Sequence, residues 1–407
     1  MTGRTTTAIR HTLRLMGMLI AAGLCAGEAR ASYLQAPHIG GRDGALSGNV
    51  VATPLDGASI LLFNPAGVVG RPTEVTTSLI VSTLSGRYSN SQTGYDQKSS
   101  EMPFGPLLWI SSDRLAPWYV GAGLYGTVGS SFNFGAQPDA GVPGQFLSES
   151  GLIQCGFVVG REIAPGLSFG VQLAPSWGRI RTKTPSPLGA VDFDVNGFGI
   201  SATTGILYDL NDKTTFGLSY RSPGVVYMSG DGDVGGQDDD VAIDFRTPQG
   251  VVFGVAYRFT PRLMVTAQTT WTNYPEFEEG VFEFEQHPQL NQSFIGDARS
   301  TFRYGIGAEY EWADWLWLRA GVSREEWMIE ASSVSPLLYD TTDFMMMIGL
   351  GIVHGHWGID ANVGYAFMED RQVTTADQTS FPGRYQLEAS PGVTIGFTYR
   401  FDAEADE

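Results

Sequence analysis

Cysteine and lysine are scarce in this chain, acidic residues outnumber basic ones, and long apolar runs are missing. Each shortage excludes something. The 407 residues hold two cysteines, Cys25 and Cys155. Cys25 falls within a segment that reads as a cleaved leader, so Cys155 stands alone and no intrachain disulfide is expected. The same scarcity removes a catalytic cysteine pair and the Cys/His spacing of a zinc site. Lysine occurs only at Lys98, Lys183 and Lys213, and the formal net charge is −18. Nucleic acid is therefore not an expected partner. Beyond the leader no stretch approaches the roughly 18 consecutive apolar residues of a transmembrane helix.

The leader has the layout of a signal peptide. Arg4, Arg10 and Arg14 form a basic start, and Leu15 to Gly27 is apolar or small throughout. Ala29-Arg30-Ala31 is a small-x-small cleavage site, so the mature chain is expected to begin at Ser32. The apolar run is too short for a retained anchor. Leu24 stands where a lipoprotein signal before Cys25 would place a small residue. Losing the leader removes four Arg and one Glu, which leaves 21 basic and 42 acidic side chains and a net charge of about −21. An exported chain of this length without disulfides needs another constraint, and a closed backbone ladder would supply it.

What is present fits such a ladder. Glycine is abundant, with 52 residues, and aromatics make up 12%, which argues against disorder. Much of the chain alternates with period two. Phe216, Leu218 and Tyr220 oppose Thr215, Gly217 and Ser219. Phe302, Tyr304 and Ile306 oppose Arg303, Gly305 and Gly307, with Glu309 on the polar side. Ile359, Ala361, Val363 and Tyr365 oppose Asp360, Asn362 and Gly364; Ile395, Phe397 and Tyr399 oppose Gly396, Thr398 and Arg400. Period two with one apolar face is a half-buried strand. The opposite face is Gly, Thr, Ser, Asn and charge, which suits a wet lumen.

Connections alternate in length. Short turns are expected at Ser112–Pro117, Ala164–Gly166, Leu210–Lys213, Thr260–Arg262, Trp312–Asp314 and His354–His356. Longer polar loops are expected over 91–102, 134–148, 184–193, 231–240, 276–297, 332–341 and 372–383. Tight turns at one end and long loops at the other are the outer-membrane arrangement, and the strands between number about 14. In lipid every backbone N–H and C=O must pair, which a closed barrel achieves. The fold class is thus all-β, a transmembrane antiparallel barrel. Its organisation is a leader over 1–31, a segment without alternation over 32–72, the barrel over 73–401 and an acidic tail over 402–407. Trp118, Tyr119, Trp271, Tyr274, Trp312, Trp315, Trp317, Trp327, Tyr399 and Phe401 lie near strand ends, as interfacial girdles do. Trp317 shares a face with Arg319, so either it lines the lumen or the register slips there.

Three patterns suggest chemistry, and each has a plainer explanation. Gly166-Leu167-Ser168-Phe169-Gly170 matches G-x-S-x-G, but it runs straight into an alternating strand, not the strand–turn–helix of a nucleophile elbow. His354-Gly355-His356 offers two imidazoles on a tight turn with no third ligand nearby. Asp231, Asp233 and Asp238 to Asp240 crowd one acidic segment, which lacks EF-hand spacing and reads as a solvated loop. No catalytic residue, metal ligand or cofactor is expected.

The segment Gly40–Gly67 carries Asp56-Gly57-Ala58-Ser59 and Asn64-Pro65-Ala66-Gly67 behind a Gly/Ala-rich stretch. It resembles the N-terminal hatch of the FadL-type outer-membrane transporters of long-chain fatty acids and other hydrophobic compounds. The run Gly205–Asp209 to Gly217–Ser222, with its Tyr-Arg-Ser ending, and the closing Gly396–Phe401 are similar to strands of that family. The resemblance spans 32–401. It departs from the pattern of a chain ending on a terminal aromatic, because six residues follow Phe401. It implies a 14-stranded barrel plugged by a hatch, ligand capture from outside, hatch rearrangement and sideways exit through the wall. It also implies Asp56, Asn64, Pro65, Ala66 and Gly67 as gating residues, and a monomer. The implied partners are hydrophobic cargo, outer-membrane lipid and lipopolysaccharide, and the barrel-assembly machinery. From the residues alone, 56–67 is a capped helix followed by a proline turn that fills the lumen. A general porin for polar solutes, an outer-membrane enzyme and a surface adhesin are the competing readings.

Overall fold

The computed structural model describes residues 39–81, 84–101, 104–389 and 391–401. The expected leader, the Ser32 start and the 402–407 tail lie outside them. Fourteen strands form the wall: β1 Glu74–Val81, β2 Phe104–Ser112, β3 Tyr119–Phe134, β4 Phe146–Ala164, β5 Leu167–Ser186, β6 Gly189–Asn211 and β7 Thr214–Arg221, then β8 Gly250–Thr260, β9 Leu263–Thr272, β10 Thr301–Ala313, β11 Leu316–Glu325, β12 Asp343–His354, β13 Trp357–Met368 and β14 Gly392–Arg400. Each pairs antiparallel with its neighbours, and β14 returns to β1 along Glu74↔Arg400 to Val81↔Val393. Closure removes the exposed edge of an open sheet.

The alternation sets which face each side chain takes. Phe302, Tyr304 and Ile306 are exposed on the outer surface, while Thr301 and Arg303 are buried inside. The short turns fall where expected, for example Pro165-Gly166 and Gly355-His356. Trp118, Trp312, Trp315 and Trp357 are exposed at that end. The girdle needs two corrections. Tyr274 is buried beside Phe277, and Trp327 lies under the guanidinium groups of Arg299 and Arg371, at 3.7 and 4.4 Å. Both belong to the long-loop end. The register does slip opposite Trp317, between Glu311 and Ala313, and Trp317 keeps the side of buried Arg319.

Several expected loops hold paired strands. Within 91–102, Tyr95–Glu101 forms a hairpin with Leu84–Asn90. The 184–193 segment belongs to β5 and β6, joined only by Pro187-Leu188. The 231–240 segment is a ribbon in which Gly224–Val234 pairs with Gln237–Thr247 and with the upper part of β6. Its tip is Gly235-Gly236, with φ of 62° and 88°, the positive values a two-residue hairpin turn demands. Acidic side chains hid this ribbon, because all but Asp239, which is buried against His287, lie on its wetter face while Val191, Phe193, Val195, Val241 and Ile243 pack underneath. Asp231 faces Asp240, and Asp233 faces Asp238. These pieces cap the long-loop end with an apolar core that includes Tyr88, Phe132, Phe245, Tyr339 and Tyr385.

The lumen is also drier than expected. Residues 39–72 fold into it, and the inward glycines of the wall receive their backbone or, at Gly305, the Asn49 side chain. A Cβ on Gly170 would sit 2.4 Å from the Pro65 carbonyl carbon, and one on Gly217 2.2 Å from the Val51 oxygen. One on Gly305 would sit 2.1 Å from Asn49 Oδ1, and one on Gly321 2.3 Å from the Leu46 carbonyl carbon. Glycine here permits close backbone approach, not wetting.

Candidate functional site: hatch and cavity

The hatch holds two short helices, α1 Gly41–Ala45 and α2 Gly57–Leu62, then a 3-10 turn Pro65–Val68. Asp56 starts α2 by accepting from Ser59 N at 2.8 Å, and Ser59 Oγ accepts from Asp56 N at 3.1 Å. This reciprocal cap satisfies N–H groups that a helix start leaves orphaned. Asn64 stops the helix, accepting from Ala66 N at 3.1 Å while Pro65 opens the next turn. Its amide donates to Val51 O at 2.8 Å within the hatch and to Ile206 O of β6 at 3.0 Å. Pro65, Ala66 and Gly67 are buried. A Cβ on Gly205 would meet Asn64 Oδ1, and one on Gly67 would meet Pro54 O. Asn64 to Gly67 are therefore brought together against β5 and β6. Asp56 is apart from them, facing β13 and β14 across a small void lined by Arg42, Asp360 and Thr398. Ala66 is buried, 1% exposed, against the wall.

A buried ionic chain anchors the hatch at the short-turn end. Arg42 grips Glu309 of β10 with Nε at 2.8 Å and Nη2 at 3.1 Å, and donates to Thr53 O at 2.9 Å. Arg319 of β11 reaches the same Glu309 at 2.6 Å and Asp360 of β13 at 2.5 Å. The two-pronged geometry is the strong form of an arginine–carboxylate pair. Removing one partner from such a buried set costs about 3–5 kcal/mol, because the other charge stays desolvated. Sequence reading put Glu309 and Asp360 on the inner face but missed Arg42. Its position directly after Gly40-Gly41 was the available signal.

Above the hatch lies a cavity of about 140 Å³. Leu62 and Phe63 form its floor, Thr127, Ser219 and Val252 belong to the wall, and Met328, Leu338, Tyr339 and Leu387 come from the cap. Arg221, Arg303, Glu325, Asp340 and Asp343 add charge. Tyr274 OH donates to Glu325 Oε1 at 3.1 Å, and Glu325 N donates to Asp343 Oδ1 at 3.2 Å. Asp340, in the loop before β12, accepts from Met328 N and pairs with Arg371 at 3.1 Å. Burial still pushes its carboxyl up to about 6. Sequence reading missed this cavity, because its residues come from distant strands and loops.

The wall is incomplete beside the cavity. The β2–β3 ladder ends at Leu107↔Tyr125. Above it, among the described residues, β3 pairs only with β4, and that register is irregular between Gly126 and Val128. Thr127 sits at the irregularity, lines the cavity, and has a buried hydroxyl with no partner among the described residues. By contrast, the G-x-S-x-G serine, Ser168, is paired in a regular ladder with Leu207. Among the described residues no cluster of His, Cys, Asp and Glu is arranged to hold a metal.

Residues 177–402 match the family described as outer membrane protein transport protein (OMPP1/FadL/TodX). The chain belongs to this family. Its place is accordingly the outer membrane of a Gram-negative cell, and the family is one of transporters. A solved FadL homologue of Pseudomonas aeruginosa has the same fold, with a TM-score of 0.78 at 13% identity over 91% of this chain and all of that one. The Pseudomonas putida toluene transporter TodX gives 0.70 at 18% identity over 92% and 99%. The Ralstonia pickettii toluene transporter TbuX gives 0.69 at 17% over 90% and 99%. A curated relative, outer membrane protein NMB0088 of Neisseria meningitidis serogroup B, is 20% identical over 180 residues, 35% of this chain and 39% of that protein. The match thus covers about two fifths of the length of that relative.

Proposed function

We propose that this protein is a passive outer-membrane channel for hydrophobic small molecules. Cargo enters from outside into the cavity above the hatch, the upper hatch shifts, and cargo leaves sideways between β2 and β3 beside Thr127. One observation carries the reading: a cavity with an apolar floor made by the hatch borders a stretch of β3 that, among the described residues, has no partner on its β2 side. Asp56, Asn64, Pro65, Ala66 and Gly67 are the gating segment in this account. The division into leader 1–31, hatch 32–72, barrel 73–401 and tail 402–407 belongs to the same reading, as do a monomeric state and contact with lipopolysaccharide and the assembly machinery.

A general porin is the competing reading, and the packed hatch argues against it. The test pairs two fluxes. Cells carrying the protein are expected to take up a radiolabelled ten-carbon compound faster than cells without it, with no dependence on an energy source. Proteoliposomes are expected to exclude a sugar of similar mass. Sugar flux equal to that of an open porin would support the porin instead. Thr127→Trp is expected to lower uptake while cargo binding to purified protein survives.

A further inference from the structure

The lipid-facing wall is not uniform. Over β10 to β13 the antiparallel register sets the outward side chains in rows. Tyr304, Arg324, Phe344 and Phe367 make the last full row before the long loops, and all four are exposed. The next row toward the short turns is Ile306, Val322, Met346 and Tyr365. In the row after that, Ala308 pairs with Ala320, so two methyl groups stand side by side among long or branched neighbours. The result is an apolar groove of about 500 Å³ on the outer face, with Ala308 and Ala320 at its floor and Ile306, Met346, Ile348 and Tyr365 around it. Left unfilled, such a groove forfeits dispersion contacts, so a lipid chain gains by lying in it.

The charge above the groove lacks the compensation found elsewhere on the wall. On β5, Arg179 pairs with Asp194 at 2.5 Å and Lys183 with Asp192 at 2.9 Å. Arg324 has no ion-pair partner among the described residues. Glu326, the acid just beyond it, is held by Arg299 at 3.1 Å. The register neighbours of Arg324 are Tyr304 and Phe344. Aromatic rings on a lipid-facing wall favour the headgroup zone, which sets Arg324 at that height. Ala320 precedes it on β11 by about 13 Å along the strand. A guanidinium is a planar fork suited to two phosphate oxygens. Over a groove it matches a lipid with phosphate above and acyl chains beneath. The long loops of such barrels face outside, where the leaflet is lipopolysaccharide.

We propose that this face seats one lipid of the outer leaflet, the phosphorylated and multiply acylated lipid A end of lipopolysaccharide. Arg324 takes a lipid A phosphate, and one acyl chain lies over Ala308 and Ala320. The site rests on the lipopolysaccharide contact in the reading above and gives it a place, and it does not depend on what the lumen carries.

The test uses the full mature protein, stripped of lipid in detergent and titrated with bisphosphorylated lipid A under native mass spectrometry. A single lipid A is expected to stay bound. Arg324→Gln should lower its affinity about tenfold or more, the range a charge-assisted pair supplies, and should leave affinity for lipid A without phosphates unchanged. Ala320→Leu fills the groove and should lower affinity for both forms. Both positions are exposed on the outer face, which keeps the fold out of the comparison. Lys183→Gln, at a cation already paired, should change neither affinity. Equal affinity of the native protein and both groove variants would overturn the proposal, as would an equal loss in Lys183→Gln. Displacement of the lipid by decanoate would assign the groove to cargo, and a dimer that Ala320→Leu dissolves would assign it to a second copy; either overturns the proposal. The transport reading is judged separately, by the paired fluxes.

Discussion

The two ends of the hatch are held differently. At the short-turn end Arg42, Glu309, Arg319 and Asp360 form a continuous ionic chain in which the charges satisfy one another. At the cavity end Arg221 and Arg303 hold the backbone carbonyls of Leu62 and Ser47, and Arg221 has no carboxylate of its own. A closed ionic chain resists change, because any single loss strands a buried charge. A cation on a neutral acceptor can be drawn away by a better one. In the proposed mechanism the lower hatch is the fixed root and the upper hatch the part that moves.

The sharpest way to break this contrast is Glu309→Ala. It leaves Arg42 without a carboxylate and Arg319 with Asp360 alone, and is expected to destabilise hatch seating by about 3–5 kcal/mol. Proteoliposomes should then leak sugar and amides over 41–47 should exchange faster, while the wall ladder stays protected. An unchanged sugar barrier would show that the chain is not the anchor.

A charge on the lipid face should harm the wall and spare the hatch. Ile306→Arg, at a site 55% exposed outside, is expected to cost about 2–4 kcal/mol in refolding titrations. Its inner counterpart is not neutral, as a wet lumen would have made it. Thr398 is 8% exposed and its hydroxyl lies 3.0 Å from that of Thr76. Thr398→Val is expected to cost about 1 kcal/mol.

Much of this was legible in the sequence. Alternation located the strands because lipid outside forces one face of each to be apolar. The Asp56 cap and the Asn64-Pro65 stop were legible because helix ends obey local chemistry. The ribbon over 231–240 was not read, since acidic residues on its wet face mimic a solvated loop. Gly235-Gly236 between alternating runs was the overlooked signal. The packed lumen was hidden because glycine faces water and backbone equally well. The meeting of Arg221 with Leu62 was beyond reach, because it depends on how a chain far from β7 folds back into the barrel.

Smaller effects should separate gating from filling. Ala66→Leu overpacks the turn against Gly170 and is expected to cost about 1–3 kcal/mol within the hatch. Asn64→Ala leaves Val51 O without its Asn64 donor and removes the hatch's tie to Ile206 O of β6, at about 1–3 kcal/mol. Both should lower uptake more than cargo binding while the barrel still inserts. Normal uptake in both would reduce this segment to filler.

The smallest expected effect lies in the cap. The buried Asp340 carboxyl is pushed up to about 6, above the ordinary value of about 3.9. The closed loop therefore favours the protonated form. Closure should be fully supported below about pH 4 and should weaken as pH rises through about 6. Asp340→Asn should remove that dependence. The check is hydrogen exchange over 326–342, corrected for intrinsic rates, at about pH 5 and pH 7.

The most direct test of a fixed root and a moving upper hatch is site-resolved hydrogen exchange on the native protein, with and without saturating decanoate. The account predicts faster exchange over 57–68 with cargo and no change over 41–45, the helix that carries Arg42. Equal responses of both segments, or protection gained over 57–68, would contradict it.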